Sequence, residues 1–166
     1  TTLCIIGLYA AAERLAEVRK TRVNVNTTTD LKSYTDVEKI ACHLWSSGVR
    51  NGDVVASQLP NGYLALLMFI ASTALGIKYA PCAVDDPSTV ERLARCVPVK
   101  YLVLMEPNEH FGETDVKTIR LPQKPDELQI ATIPISNSDQ LAASLFLLTS
   151  GSTGDPKIMS ISCSRL

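Results

Sequence analysis

The residues best placed to do chemistry are crowded into one short stretch, Leu147-Leu148-Thr149-Ser150-Gly151-Ser152-Thr153-Gly154-Asp155-Pro156-Lys157. An apolar run, residues 144–148, supplies a strand and fixes where the following loop begins. Gly151 and Gly154 let the backbone bend and approach a ligand closely. The hydroxyls of Thr149, Ser150, Ser152 and Thr153 can donate to phosphate oxygens, exposed backbone N–H groups can add an anion-binding concavity, and Lys157 brings a mobile positive charge. Pro156 stiffens the approach to that lysine. Composition alone also suits a plain Ser/Thr/Gly turn between two strands. The Walker pattern is excluded, because four residues between two glycines and a Gly-Lys-Ser/Thr ending are missing.

The elements that must position this loop are legible upstream. Residues 36–47 carry Val37, Ile40, Ala41, Leu44 and Trp45 at helical spacing, with Thr35 and Glu38 as a capping box and Gly48 as a stop. Trp45 is expected in the core. Residues 54–59 then read as a strand, 60–62 as a turn, 63–75 as a helix and 77–82 as a strand. Ser88 with Glu91 forms a second capping box for a helix ending near Cys96, and residues 101–105 give a third strand. The order is βαβαβ, which predicts an α/β fold with a mostly parallel sheet, helices on its faces and right-handed connections. Between 106 and 143 the chain turns polar, with prolines at 107, 122, 125 and 134. Residues 116–121 and 128–135 are candidate short strands within that connector.

Composition narrows the function classes. The chain has 166 residues, 46% apolar and 20% charged, the balance of a globular protein with one ordinary core. A net charge of −1 without a Lys/Arg cluster argues against a nucleic-acid partner. The five cysteines, at 4, 42, 82, 96 and 163, are scattered and never spaced as Cys-x-x-Cys, so neither a disulfide framework nor a zinc site is indicated, and a reducing, cytoplasmic setting is expected. His43 and His110 are the only histidines, and His43 sits in a helical pattern where a structural role is expected, so a His-based triad has little material. Residues 63–75 are apolar but fall short of the roughly 20 needed to cross a bilayer, and are read as a buried helix with no transmembrane segment. Residues 3–12 are followed at once by Glu13-Arg14 and are read as a packed helix rather than a leader.

Residues Thr149 to Lys157 resemble, position by position, the signature Thr-Ser-Gly-Ser/Thr-Thr-Gly-x-Pro-Lys of the adenylate-forming (AMP-binding) superfamily, which holds acyl-CoA synthetases, nonribosomal peptide synthetase adenylation domains and luciferases. Weaker similarities precede it in the family's order. Leu31-Lys32-Ser33-Tyr34-Thr35-Asp36-Val37 is similar to its Leu-Thr/Ser-Tyr-x-Glu-Leu segment, and Gly48-Val49-Arg50-Asn51-Gly52-Asp53-Val54-Val55-Ala56 to its Gly-Val-x-x-Gly-Asp-x-Val-Ala. Pro60-Asn61 and Gly76-Ile77-Lys78-Tyr79-Ala80-Pro81 continue the series.

The resemblance implies a ligase that activates a carboxylic acid with ATP as an acyl adenylate, then passes the acyl group to a thiol of CoA or of a phosphopantetheinyl carrier domain. It implies ATP and magnesium as cofactors. Thr149, Ser150, Gly151, Ser152, Thr153, Gly154 and Lys157 become the nucleotide-phosphate residues, with Thr149 also touching the metal ion. Asp155 is expected to face solvent, since an acid aimed at phosphates would repel them. It implies further that residues 1–166 form an incomplete N-terminal portion of an adenylation domain, with 106–143 a variable connector and 145–157 the phosphate-binding loop region. The family's adenine, ribose and C-terminal lysine segments lie beyond Leu166, so the chain alone is expected to form no acyl adenylate. A noncatalytic nucleotide-binding or interaction module derived from the same fold is the alternative. Two positions depart from the family: Ile158 replaces a glycine, and Ser162-Cys163 replaces Ser/Thr-His. If glycine is needed there for positive φ, Ile158 would distort the segment. A catalytic role for Cys163 is not expected, since no histidine lies near it in sequence.

Overall fold

Val54-Val55-Ala56-Ser57-Gln58 is buried at all five positions, and this strand, β1, is the centre of the sheet. A strand covered on both faces reads as a continuous run rather than an alternation. The computed structural model describes residues 27–60, 62–84, 86, 88–105, 115–133, 143–149 and 157–162. Around β1 stand β2 (Lys78–Pro81), β3 (Val99–Leu104), β4 (Lys117–Arg120), β5 (Ser144–Thr149) and β6 (Lys157–Ser162), in the order β4-β3-β1-β2-β5-β6. β1 through β5 are parallel and β6 returns antiparallel to β5. Helices α1 (Thr27–Ser46), α2 (Tyr63–Ala74) and α3 (Ser88–Cys96) complete the α/β fold expected from the sequence.

Strand alternation sorts the core into two layers. Val55, Tyr79, Tyr101, Val103 and Ile119 pack with Ile40 and Leu44 of α1 and Leu67, Met68 and Ala71 of α2. Val54, Ala56, Ala80, Leu102 and Leu104 pack with Val90 and Leu93 of α3. The chirality of the crossovers requires this split. The chain steps from β1 to β2 in one direction and from β2 past β1 to β3 in the other, so right-handed connections place α2 and α3 on opposite faces.

Both long helices stop at glycine. Gly48 has φ 101° and Gly76 has φ 68°, values that residues with a Cβ adopt at a cost. After α1, Val49 N–H donates to Leu44 O and Gly48 N–H to Trp45 O; after α2, Ile77 N–H donates to Ser72 O and Gly76 N–H to Thr73 O. These paired bonds satisfy carbonyls that the helix leaves open, the Schellman arrangement.

Several expectations are corrected. α1 begins at Thr27 rather than Asp36, so Thr35 and Glu38 lie inside the helix rather than at its start. The apolar spacing through Leu31, Tyr34 and Val37 already extended upstream of the supposed cap. At α3 the capping group is Asp86, whose carboxylate accepts from Ser88 N–H, the Ser88 and Thr89 hydroxyls and Arg92 Nη2. Ser88 is thus a donor to the cap. α2 is buried on one side only, through Leu67, Met68, Ala71, Ser72 and Ala74, while Tyr63 and Leu66 are exposed. Trp45 is half-buried at the core margin, its ring beneath the Arg50 guanidinium at 4.0 Å.

Within the connector, residues 116–121 do contain a strand, β4, whereas 128–133 form none. Instead a 3-10 turn, Pro125–Glu127, and the segment after it lie along α1. Lys39 Nζ is 3.0 Å from Asp126 Oδ1. The Cys42 thiol donates to Ala131 O at 3.0 Å and accepts from Ala131 N–H at 3.2 Å, supplying to that backbone what a neighbouring strand would. Residues 3–12, His110 and the segment 134–135 lie outside the described residues.

Candidate nucleotide phosphate site

The apolar run read from the sequence is β5, Ser144–Thr149, and its carboxyl end lies on the same sheet edge as the carboxyl ends of β1 to β4. In open α/β sheets ligands collect outside that edge. β5 pairs with β2 at Ser144 and Leu145, whereas its pairing with β6 runs from Ser144↔Ser162 to Thr149↔Lys157. Among the described residues, β6 is therefore the only ladder partner of Leu147, Leu148 and Thr149.

In the sequence, strand β6 is implied only by the alternative of a plain turn between two strands, and no bounds are read for it. Its signal is the short apolar and polar mixture Ile158-Met159-Ser160-Ile161-Ser162 directly after the loop. Ile158 pairs with Leu148 and packs, with Phe146 and Leu148, against the core layer that holds α3. No described non-glycine residue has positive φ, so Ile158 occupies ordinary strand geometry and the distortion anticipated for a glycine replacement does not arise.

Thr149 and Lys157 are direct cross-strand partners, and both are exposed. Thr149 Oγ1 donates to the Lys157 carbonyl at 3.1 Å. The side chains of directly opposed residues share a face, so the hydroxyl and the ammonium belong to one side of the sheet at its carboxyl edge. Among the described residues Lys157 has no acidic partner within ion-pair distance. The remaining predicted phosphate residues, Ser150, Gly151, Ser152, Thr153 and Gly154, lie outside the described residues, as do Asp155, Pro156 and Cys163.

Three other reactive side chains, His43, Cys82 and Tyr79, are bonded or buried elsewhere. His43 Nε2 donates to Arg120 O at 2.7 Å, tying α1 to β4 in the structural role expected of it. Cys82 is a buried free thiol pushed up to about 11 by desolvation, and Tyr79 a phenol pushed up to about 12, chiefly by burial. Neither is poised as a nucleophile or base near neutrality. Among the described residues no three His, Cys, Asp or Glu side chains cluster as metal ligands. No described helix is long and apolar enough to cross a membrane.

The model of the family described as AMP-binding enzyme matches residues 13–165. The chain belongs to the AMP-binding enzyme family. Curated proteins gave no match. Among solved structures, the N-terminal subdomain of Klebsiella oxytoca NpsA is similar with a TM-score of 0.66 at 20% identity, covering 80% of this chain and 35% of that one. The O-succinylbenzoate coenzyme A synthetase MenE of Bacillus subtilis, in complex with AMP, aligns with a TM-score of 0.62 at 22% identity over 81% of this chain and 36% of that one. An artificially fused adenylation–PCP di-domain, NpsA–ThdA from Klebsiella oxytoca, aligns with a TM-score of 0.63 at 20% identity over 80% of this chain and 27% of that one. This AMP-binding enzyme chain thus spans about a third of the length of such structures, and what they share with it is the fold.

Proposed function

We propose that this chain supplies the phosphate-gripping part of an enzyme that activates a carboxylic acid with ATP. In that reaction a carboxylate oxygen forms a bond to the α-phosphorus while the bond from that phosphorus to the bridging oxygen breaks, giving an acyl adenylate and pyrophosphate. A thiol, of CoA or of a phosphopantetheinyl carrier domain, then takes the acyl group and releases AMP.

The observation that carries the reading is the pairing of Thr149 with Lys157 at the carboxyl edge of the sheet, across the ends of the signature stretch. The demand of the first step is to hold the leaving pyrophosphate and spread its charge. Lys157 meets it as a point charge, and Ser150, Ser152, Thr153 and the backbone at Gly151 and Gly154 would add neutral donors. Thr149 has spent its one proton on the Lys157 carbonyl, so its free lone pairs suit a cation. Magnesium held on nucleotide phosphates needs few protein ligands, so Thr149 fits that ion without a carboxylate cluster. When bound, the ion would neutralise charge building on the phosphates.

The experiment is a titration of the chain with ATP and with pyrophosphate, with and without magnesium, followed by calorimetry. Saturable binding by the unmodified chain, weakened about tenfold in K157A, is expected from the loss of a charge-assisted contact. Equal affinity in both proteins would reject the site. Because the chain spans about a third of the compared enzymes, carboxylate-dependent pyrophosphate exchange by this chain alone is not expected. Exchange above background would show that the residues needed for adenylation are already present.

A further inference from the structure

We infer that Thr149 is a positioning residue: its hydroxyl fastens the neck between β5 and β6 and thereby sets where Lys157 presents its charge. The inference rests on the reading of this site as phosphate-binding. It differs from assigning Thr149 a contact with the nucleotide or its metal ion, because the acceptor here belongs to the protein itself.

Ladder support is uneven along β5. β2 pairs with it only at Ser144 and Leu145, near the start of the strand. Toward its carboxyl end, β5 depends on β6, and the final pair of that ladder is Thr149↔Lys157. The Thr149 hydroxyl adds a bond across this pair, 3.1 Å to the Lys157 carbonyl, where both residues are exposed and core packing contributes least. Inward of it, Leu148 and Ile158 are half-buried against the α3 layer and anchor the pair below.

Chemistry narrows the role further. A threonine hydroxyl has a single proton, and here it points to a carbonyl rather than outward. It therefore cannot also donate to a phosphate oxygen without giving up the cross-strand bond. The acceptor is the backbone of the residue whose side chain carries the charge, so fixing that carbonyl restricts the direction in which the lysine leaves the strand. Valine at 149 keeps the branched shape and strand preference while removing the bond.

The test uses the full chain as T149V, T149S, K157M and T149V/K157M. Hydrogen exchange without any nucleotide reads the neck directly. T149V should raise exchange of amides in residues 157–159 about threefold or more, and T149S should restore slow exchange. ATP affinity measured in EDTA should fall about fivefold in T149V, the ratio for one net hydrogen bond. In the K157M background, where the backbone acceptor remains but the charge is gone, adding T149V should leave affinity unchanged. Unchanged exchange in T149V overturns the inference. So does an equal loss of affinity from T149V in both backgrounds, which would mean that Thr149 touches the ligand itself. Failure of the unmodified chain to bind ATP would instead reject the phosphate reading, and with it a role in presenting charge, while the exchange rates still decide whether the neck is fastened.

Discussion

Tyr79 Oη lies 2.7 Å from Ser57 Oγ, a hydroxyl pair sealed between β1 and β2 beneath α2. Each group is the other's buried partner, so removing one strands its neighbour. Y79F and S57A are each expected to cost about 1–3 kcal/mol in urea denaturation, and the double variant less than the sum of the two. Strict additivity would show that the two hydroxyls do not depend on each other.

Stability is expected to fall on the alkaline side. Burial raises Cys82 from 9.0 to about 11, and burial first, with Cys82 adding to it against the Ser57 bond, raises Tyr79 from 10.0 to about 12. Below pH 9 both groups hold their protons folded or unfolded, and their contribution is fully present. Above that the unfolded chain releases protons that the folded chain retains, so the contribution is lost as pH rises through about 11 and 12. A tenfold difference in proton affinity between the folded and unfolded chain is worth about 1.4 kcal/mol. Denaturation midpoints at pH 8, 9.5 and 11 should decline in that order; a flat profile would contradict the burial of these groups.

The α3 cap offers a comparison between two readings of one segment. Asp86 gathers four donors, and its carboxyl is held below its ordinary value by the Ser88 hydroxyl first, then by Thr89 and Arg92. D86A should therefore lower the thermal midpoint more than S88A, and E91Q should leave it nearly unchanged. The Asp86 contribution is present above pH 4 and lost as pH falls through its depressed value. A capping box at Ser88 and Glu91 would produce the opposite ranking, with E91Q clearly harmful.

Neighbouring leucines on α2 should behave differently. Leu67 is fully buried and Leu66 is 51% exposed. L67A is expected to cost about 2–5 kcal/mol through lost burial and a cavity, whereas L66A should stay within about 0.5 kcal/mol. Comparable losses at both positions would mean that the outer side of α2 is covered.

Periodicity was a good guide where burial was simple. Val54 to Gln58, between two layers of helix, reads as a strand and is one, and Gly48, read as a stop, closes α1 with main-chain bonds. It failed where a side chain from a distant element replaced a backbone partner. Nothing local to residues 128–133 indicates that Cys42 will bond the backbone at Ala131, and nothing at Ser88 tells that Asp86 has gathered the donors. The candidate site was proposed from residue types in fixed order, and of those residues the described structure includes Thr149 and Lys157. That Thr149 would turn its hydroxyl toward Lys157 depended on β6, a short edge strand with little pattern of its own.

The strand order has a consequence for how the protein comes into being. β1, β2 and β3 are joined by short helical connections, but β5 must find β2 after the chain has completed β3, β4 and the segment along α1. Contacts so distant in sequence are slow to form, whereas β5 and β6 are near in sequence, Thr149 and Lys157 lying 8 residues apart. During synthesis the nucleus formed by β1, β2 and β3 can assemble while Thr149 and Lys157 are still within the ribosome, so the β5–β6 pair docks after that nucleus. Pulse-labelled refolding should then protect amides of β1 and β3 before those of β5, and the reverse order would refute it. Substitutions in this pair of strands would thus also act on how long a nascent sheet stays open on one side, a matter of yield beside that of affinity.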